Sequence, residues 1–198
     1  RGDQPMCGVP YHALNAYLAK LIRAGKTAAL CDQMEDPKLA KGIVKRDIVE
    51  IISAGTAMDE SNLNAKEANY LCAFVPVENG AVFSIADVTT GYLSVCNSSM
   101  QAFECEFSRR MPKEVVVPEG TKIPAGIMDL INAEHVLVTE LPEFLFAEDQ
   151  AKDVLFAHFK VEALDGLGLD GREKEACVTG ALLQYLMDQK KSELSHFT

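Results

Sequence analysis

"YLCAFVPVENGAVFSIADVTTGYLSVC", residues 70–96, holds three apolar runs separated by two turn signals, Glu78-Asn79-Gly80 and Thr89-Thr90-Gly91. The runs "YLCAFVPV", "AVFSIADV" and "GYLSVC" have strand length and are rich in β-branched and aromatic side chains. Glycine closing each short turn suits a hairpin, so this stretch predicts a meander of three antiparallel strands.

Working forward, "SSMQAFECEFSRRM" (98–111) predicts a helix with Ser98 or Ser99 as N-cap and Pro112 just beyond its end. "KEVVVP" (113–118) reads as a short apolar strand of the kind buried in a parallel sheet. A brief helix (Ala125–Asn132), the strand "HVLVTE", a helix around "EDQAKDVLFAHF" and a long helix from about Arg172 to Lys191 follow. Val178, Leu182, Leu183, Leu186 and Met187 fall on one side of that last helix. The order β-β-β-α-β-α-β-α-α makes an α/β domain, a mixed sheet flanked by helices, and fits a ribonuclease H-like arrangement.

Working backward, "AGTAMDESNLNAKEAN" (54–69) is polar and without period, and marks a domain boundary. Before it, Leu14, Leu18, Leu21 and Ile22 recur at helical spacing between Tyr11 and Ala24. Gly25-Lys26-Thr27 then mimics the end of a phosphate-binding loop. That loop needs a glycine at position 20, where Lys20 stands, and needs the helix after the glycine rather than before it. Gly25 is therefore expected as a helix C-terminal cap. "KTAALCD" predicts a short buried strand, "PKLAKG" a helical turn between Asp36 and Gly42, and "IVKRDIVEIIS" a longer strand.

The chain has 198 residues, 48% of them hydrophobic, and a net charge of −10. Residues 1–55 carry a balance of +2 and residues 56–198 a balance of −12, so a slightly basic head precedes a strongly acidic body. The body should be repelled by phosphate backbones. No apolar run approaches the roughly 20 residues of a membrane helix, and a soluble protein is expected. Cys7, Cys31, Cys72, Cys96, Cys105 and Cys177 lack C-x-x-C spacing and read as reduced core residues, with one or two disulfides as the rival. His12, His135, His158 and His196 show no zinc-ligand spacing. Both termini look cut from something longer.

Asp87 could serve a metal-dependent nuclease on a ribonuclease H-like fold, but two-metal chemistry needs several converging carboxylates. Glu104, Glu106, Glu114 and Glu140 show no such convergence, and the favoured reading is that Asp87 shapes its turn. Met6-Cys7-Gly8-Val9-Pro10-Tyr11-His12 could approach a ligand closely through Gly8 and stack or hydrogen-bond through Tyr11 and His12. A loop that merely seats its own helix is the plainer and favoured reading of those residues. Lys38, Lys41, Lys45 and Arg46 could touch phosphates, or form an ordinary wet face.

The run from Pro5 to Thr56 closely resembles the later half of the mismatch-recognition domain of the bacterial MutS family. The resembling elements are "MCGVPYH", "YLAKL", "CDQMEDP" and "VKRDIVEIISAGT", and farther on "DVTTGYL" and "ALLQYLMDQKK" are similar to the connector domain. The resemblance implies a partial mixed α/β recognition domain over 1–56, a linker over 57–68, and a ribonuclease H-like connector without catalysis over 69–198. It implies DNA-proximal roles for Met6, Cys7, Gly8, Tyr11, His12, Lys45 and Arg46. In that family a Phe-x-Glu motif probes the mispair, and Phe103-Glu104-Cys105-Glu106 is not that motif. "SAGT" stands where T-P-G-T is more usual. The implied partners are mismatched double-stranded DNA, held weakly by this segment, MutL through the connector, the remainder of the MutS chain and a second MutS subunit. No catalytic residue, metal or cofactor is expected in this segment; ATP and magnesium belong to the family's ATPase domain. The implied location is the cytoplasm, at the nucleoid when on DNA. A free-standing interaction module is a further alternative.

Overall fold

The computed structural model describes residues 8–36, 42–57 and 68–190. Seven strands and five α-helices lie among them, ordered as α1 (Leu14–Arg23), β1 (Ala28–Gln33), β2 (Arg46–Ile52), β3 (Tyr70–Val77), β4 (Gly80–Asp87), β5 (Tyr92–Ser99), α2 (Met100–Arg110), β6 (Glu114–Pro118), α3 (Ala125–Glu134), β7 (Leu137–Leu141), α4 (Glu148–Phe159) and α5 (Glu173–Lys190). Three 3-10 turns at Tyr11–Ala13, Glu143–Phe146 and Leu164–Leu167 complete the set.

The body is a five-stranded sheet in the order β5-β4-β3-β6-β7. β3, β4 and β5 form the expected antiparallel meander, and β3, β6 and β7 run parallel. Side chains alternate across a strand, so the sheet feeds two cores. Cys72, Phe74, Phe83, Ile85, Val115 and Val117 face α2 and α3, where Phe103 sits between Phe74, Phe83 and Phe107 with ring centroids 5.0, 4.7 and 5.9 Å away. Leu71, Ala73, Val82, Ala86 and Val116 face Val178, Leu182 and Leu186 of α5. Leu183 turns instead toward Val154 and Leu155 of α4, so α5 is buried on more than the one side its spacing suggested. Gly180 lets α4 and α5 touch, because a Cβ there would come within 2.6 Å of the Ala151 Cα.

Ser99, the second of the two expected caps, accepts a hydrogen bond from the Ala102 N–H at 3.3 Å. Gly80 ends the first turn because a side chain there would collide with the Ser98 carbonyl. Gly91, with φ 74°, closes the second.

The head is smaller. β1 and β2 form an antiparallel ribbon, irregular between Leu30 and Cys31, and α1 packs Leu18 and Ile22 against Ile52 and Ala57. Gly25, at φ 68°, terminates α1. Its N–H reaches the Ile22 carbonyl at 2.9 Å and the Lys26 N–H reaches the Leu21 carbonyl at 3.0 Å, a Schellman cap. Carbonyls rather than N–H groups point out of that end, as expected for a cap and opposite to a phosphate site.

Two sequence expectations need correction. "KTAALCD" forms a strand, but not a buried one: Ala28 and Leu30 are half-buried, while Ala29 and Cys31–Gln33 are exposed. The ribbon has a helix on one face only, so its other face meets solvent. The cysteines are also not uniformly core residues. Cys72 is buried and Cys177 half-buried, whereas Cys31, Cys96 and Cys105 are exposed, and all five are free thiols. Cys7 and the expected turn over 37–41 lie outside the described residues. Among the described residues no helix is long and apolar enough to cross a membrane.

Candidate nucleic-acid interface and the joint behind it

Of the residues singled out near the head loop, Met6 and Cys7 lie outside the described residues. Gly8, Tyr11 and His12 are exposed, Tyr11 at 91% of its surface, and a Cβ on Gly8 would meet open space. These side chains do not seat α1, whose anchors are Leu14, Leu18 and Ile22. Lys45 and Arg46 are also exposed, at the start of β2 opposite Gln33. The loop before α1 leads into the helix, and the start of β2 lies at the end of the ribbon where β1 finishes. The described contacts include no bond between them. That end is not purely basic: Glu35 accepts from the Lys45 N–H at 2.7 Å, and Asp32 and Asp47 flank the ribbon. The Arg46 guanidinium donates to its neighbouring Val44 carbonyl at 3.3 Å. Such a surface can lie beside a nucleic acid but has little power to hold one unaided. Lys38 and Lys41 are outside the described residues.

Asp87 closes its turn. One carboxylate oxygen accepts from the Thr89 N–H at 3.0 Å and the Thr89 hydroxyl at 2.6 Å, and the other from the Thr90 hydroxyl at 2.9 Å. Burial opposes ionisation, but the bonds from Thr89 and Thr90 outweigh it and hold this carboxyl below its ordinary value. Glu114, an acid two strands away, pairs with Leu71 while Asp87 pairs with Tyr70. Alternation then puts the two carboxylates on opposite faces of the sheet, so they cannot share a metal ion. Glu106 is engaged by Arg109 at 2.6 Å and Arg110 at 2.9 Å. Arg110 is itself fixed between Tyr70 and Tyr92, its guanidinium 5.0 and 4.9 Å from the two ring centroids and donating to both hydroxyls. The alternative built on Asp87 as a nuclease carboxylate finds no support.

Glu114 is the feature that sequence reasoning missed. It opens β6, is fully buried, and joins the two units. One oxygen accepts from the Tyr185 hydroxyl at 2.6 Å and the Thr139 hydroxyl at 2.7 Å, both in the body. The other accepts from the Ser53 hydroxyl and from the Gly55 N–H at 3.1 Å, both in the head. Burial first, and the Glu114 carboxylate second, push the Tyr185 phenol above its ordinary range. Thr56 supports Ser53, accepting from its N–H at 2.8 Å. Asn69 donates to the Gly55 and Ala57 carbonyls at 3.3 and 2.9 Å. Gly55 permits this approach, since a Cβ would stand 2.6 Å from the Glu114 Cβ and 2.9 Å from Leu71. A Lys190–Glu50 ion pair ties the end of α5 to β2 at the margin. The "SAGT" segment is thus a docking loop: Ser53 and Thr56 are fully buried.

A small head docked through a polar loop onto a helix-covered mixed sheet defines a protein of two α/β units in series. The family models for MutS domain I and MutS domain II match residues 1–61 and 69–198. The chain belongs to the MutS family of DNA mismatch repair proteins. It is 37% identical over 197 residues to the DNA mismatch repair protein MutS of Lachnoclostridium phytofermentans, covering 98% of this chain and 21% of that protein. It is 36% identical over 199 residues to the protein of the same name from Chlorobaculum tepidum, covering 98% and 23%. The chain therefore spans about a fifth of the length of the curated relatives it matches.

Proposed function

We propose that this chain is the non-catalytic part of a mismatch-repair protein that stands between the DNA and the rest of the molecule. The observation that carries the reading is the match of two successive MutS domains, in order, over nearly the whole chain. In this reading the whole protein finds mispaired double-stranded DNA and signals to MutL using ATP, as a pair of MutS subunits in the cytoplasm. ATP and magnesium belong to its ATPase domain, not to these residues. The head contributes a DNA-proximal surface at Met6, Cys7, Gly8, Tyr11, His12, Lys45 and Arg46; the exposure of the last five supports that role. The acidic body stays off the phosphates, relays the state of the head and offers a face to MutL.

Fluorescence anisotropy against matched and mismatched duplexes, at low and moderate salt, tests this. The expected result is weak, salt-sensitive binding without preference for the mismatch, since the chain's one Phe-x-Glu tripeptide, Phe146-Ala147-Glu148, lies in the body between a 3-10 turn and α4 and not in the head, and the body is acidic. A clear mismatch preference would overturn the assignment, by making the Met6–His12 loop a reader in its own right.

A further inference from the structure

The seam between head and body differs in kind from the cores on either side of it. The head's apolar cluster closes among Leu18, Ile22, Ile52 and Ala57, and the body's clusters close around its sheet. Hydrogen bonds and an ion pair bridge the two: Ser53 and Gly55 on Glu114, Asn69 on two head carbonyls, and Lys190 on Glu50. A buried carboxylate is tolerated only when donors take the place of water. Glu114 draws two of its four donors from each unit, so neither unit alone satisfies it. The fit is also close, because Gly55 leaves no room for even a methyl group beside Glu114. It is not fully satisfied either: the Asn69 side-chain carbonyl is buried with no hydrogen-bond partner among the described residues. Polar, tight and incompletely satisfied contacts fix a geometry sharply while adding little net adhesion, since each group regains water when the seam opens.

We infer that Glu114 is the positioning residue of a releasable joint, its carboxylate setting the single orientation in which the head docks on the body. This rests on the reading above, in which the body relays the state of the head; the joint supplies the element through which that relay passes. Glutamine should largely preserve the docked orientation. Its carbonyl can accept from Ser53 and Gly55, and its amide can donate to Tyr185 and Thr139 once those hydroxyls rotate. Alanine strands all four donors. Gly55→Ala attacks the joint from the other side, driving a methyl group against Glu114 and Leu71 while the carboxylate itself stays in the sequence.

The test is the head–body distance in the whole 198-residue chain. Nitroxides are placed on the exposed thiols Cys31 in the head and Cys105 in the body, with Cys7 and Cys96 replaced by serine and Cys177 by alanine. Pulsed electron resonance should give one narrow distance for the parent and for Glu114→Gln. It should give a distribution at least twice as broad for Glu114→Ala and Gly55→Ala, with the body's cooperative unfolding retained. If Glu114→Ala fails to fold, Gly55→Ala decides alone. A Gly55→Ala distribution as narrow as the parent's would overturn the proposal. No DNA enters this experiment, so its failure is distinct from a failure of the anisotropy test.

Discussion

The body holds its sheet between two layers of helices, whereas the head sets one helix against one face of a two-stranded ribbon. That difference divides the labour of the chain. In the body every strand of the central three is covered on both sides, and β4 is buried from end to end. In the head, Tyr11, Met34 and Ile43 remain exposed, and among the described residues four apolar ones form the buried cluster. A two-stranded ribbon is marginal by itself and needs a packed face to persist. The joint at Glu114 therefore matters more to the head than to the body.

The largest expected effect lies in the body. Phe103→Ala empties the centre of its aromatic cluster and should cost about 3–5 kcal/mol, read as a lowered midpoint in chemical denaturation. A loss under about 1 kcal/mol would mean that the cluster is not the keystone its geometry suggests. Next comes Ile22→Ala in the head, at about 2 kcal/mol, near the low end for truncating a buried aliphatic because the site is thinly packed. Hydrogen exchange should show lost protection in β1 and β2 with the body's amides unchanged; loss spreading through the body would erase the distinction between the units.

A smaller effect separates the two by pH. The Asp87 carboxyl lies below its ordinary value of 3.8, so it adds stability above that pH which is lost as pH falls through the folded-state value. Asp87→Asn should lower stability by about 1 kcal/mol at neutral pH, with the gap from the parent closing in strong acid. A gap that persists unchanged at low pH would show that the charge plays no part. Smallest of all, Arg109→Ala removes an exposed ion pair with Glu106 and should leave the denaturation midpoint where it was.

Much of the body was legible because local and global signals agree there. Turn glycines fix the hairpins, Ser99 caps α2, and the apolar "EVVVP" run belongs between two parallel neighbours. The resemblance was carried by the head, yet the head's packing was the harder part to read. "KTAALCD" has the composition of a buried strand, but composition does not say how many faces are covered. The joining role of Glu114, weighed in the sequence only as a metal carboxylate, escaped notice for a related reason. An acid opening an otherwise apolar strand looks like an edge residue, and its four donors lie far apart in sequence, at 53, 55, 139 and 185. Its one local clue was the adjacency of a charge to a run destined for a buried parallel sheet. The small residues of "SAGT", where T-P-G-T is more usual, were the matching clue on the other side. Neither acquires meaning until the fold brings them together.

The placement of β3 also has a bearing on synthesis. β3, β4 and β5 are contiguous in sequence and can pair as soon as they leave the ribosome, since their contacts are local. The other edge of β3, at Leu71-Cys72-Ala73, stays open until Glu114–Val116 arrives beyond the whole of α2. During that interval an apolar strand edge is presented to the cell, of the kind that pairs readily with strangers. The nascent chain is thus most vulnerable midway through its body, and conditions that slow translation between Met100 and Val116 should show first as lost yield rather than lost function.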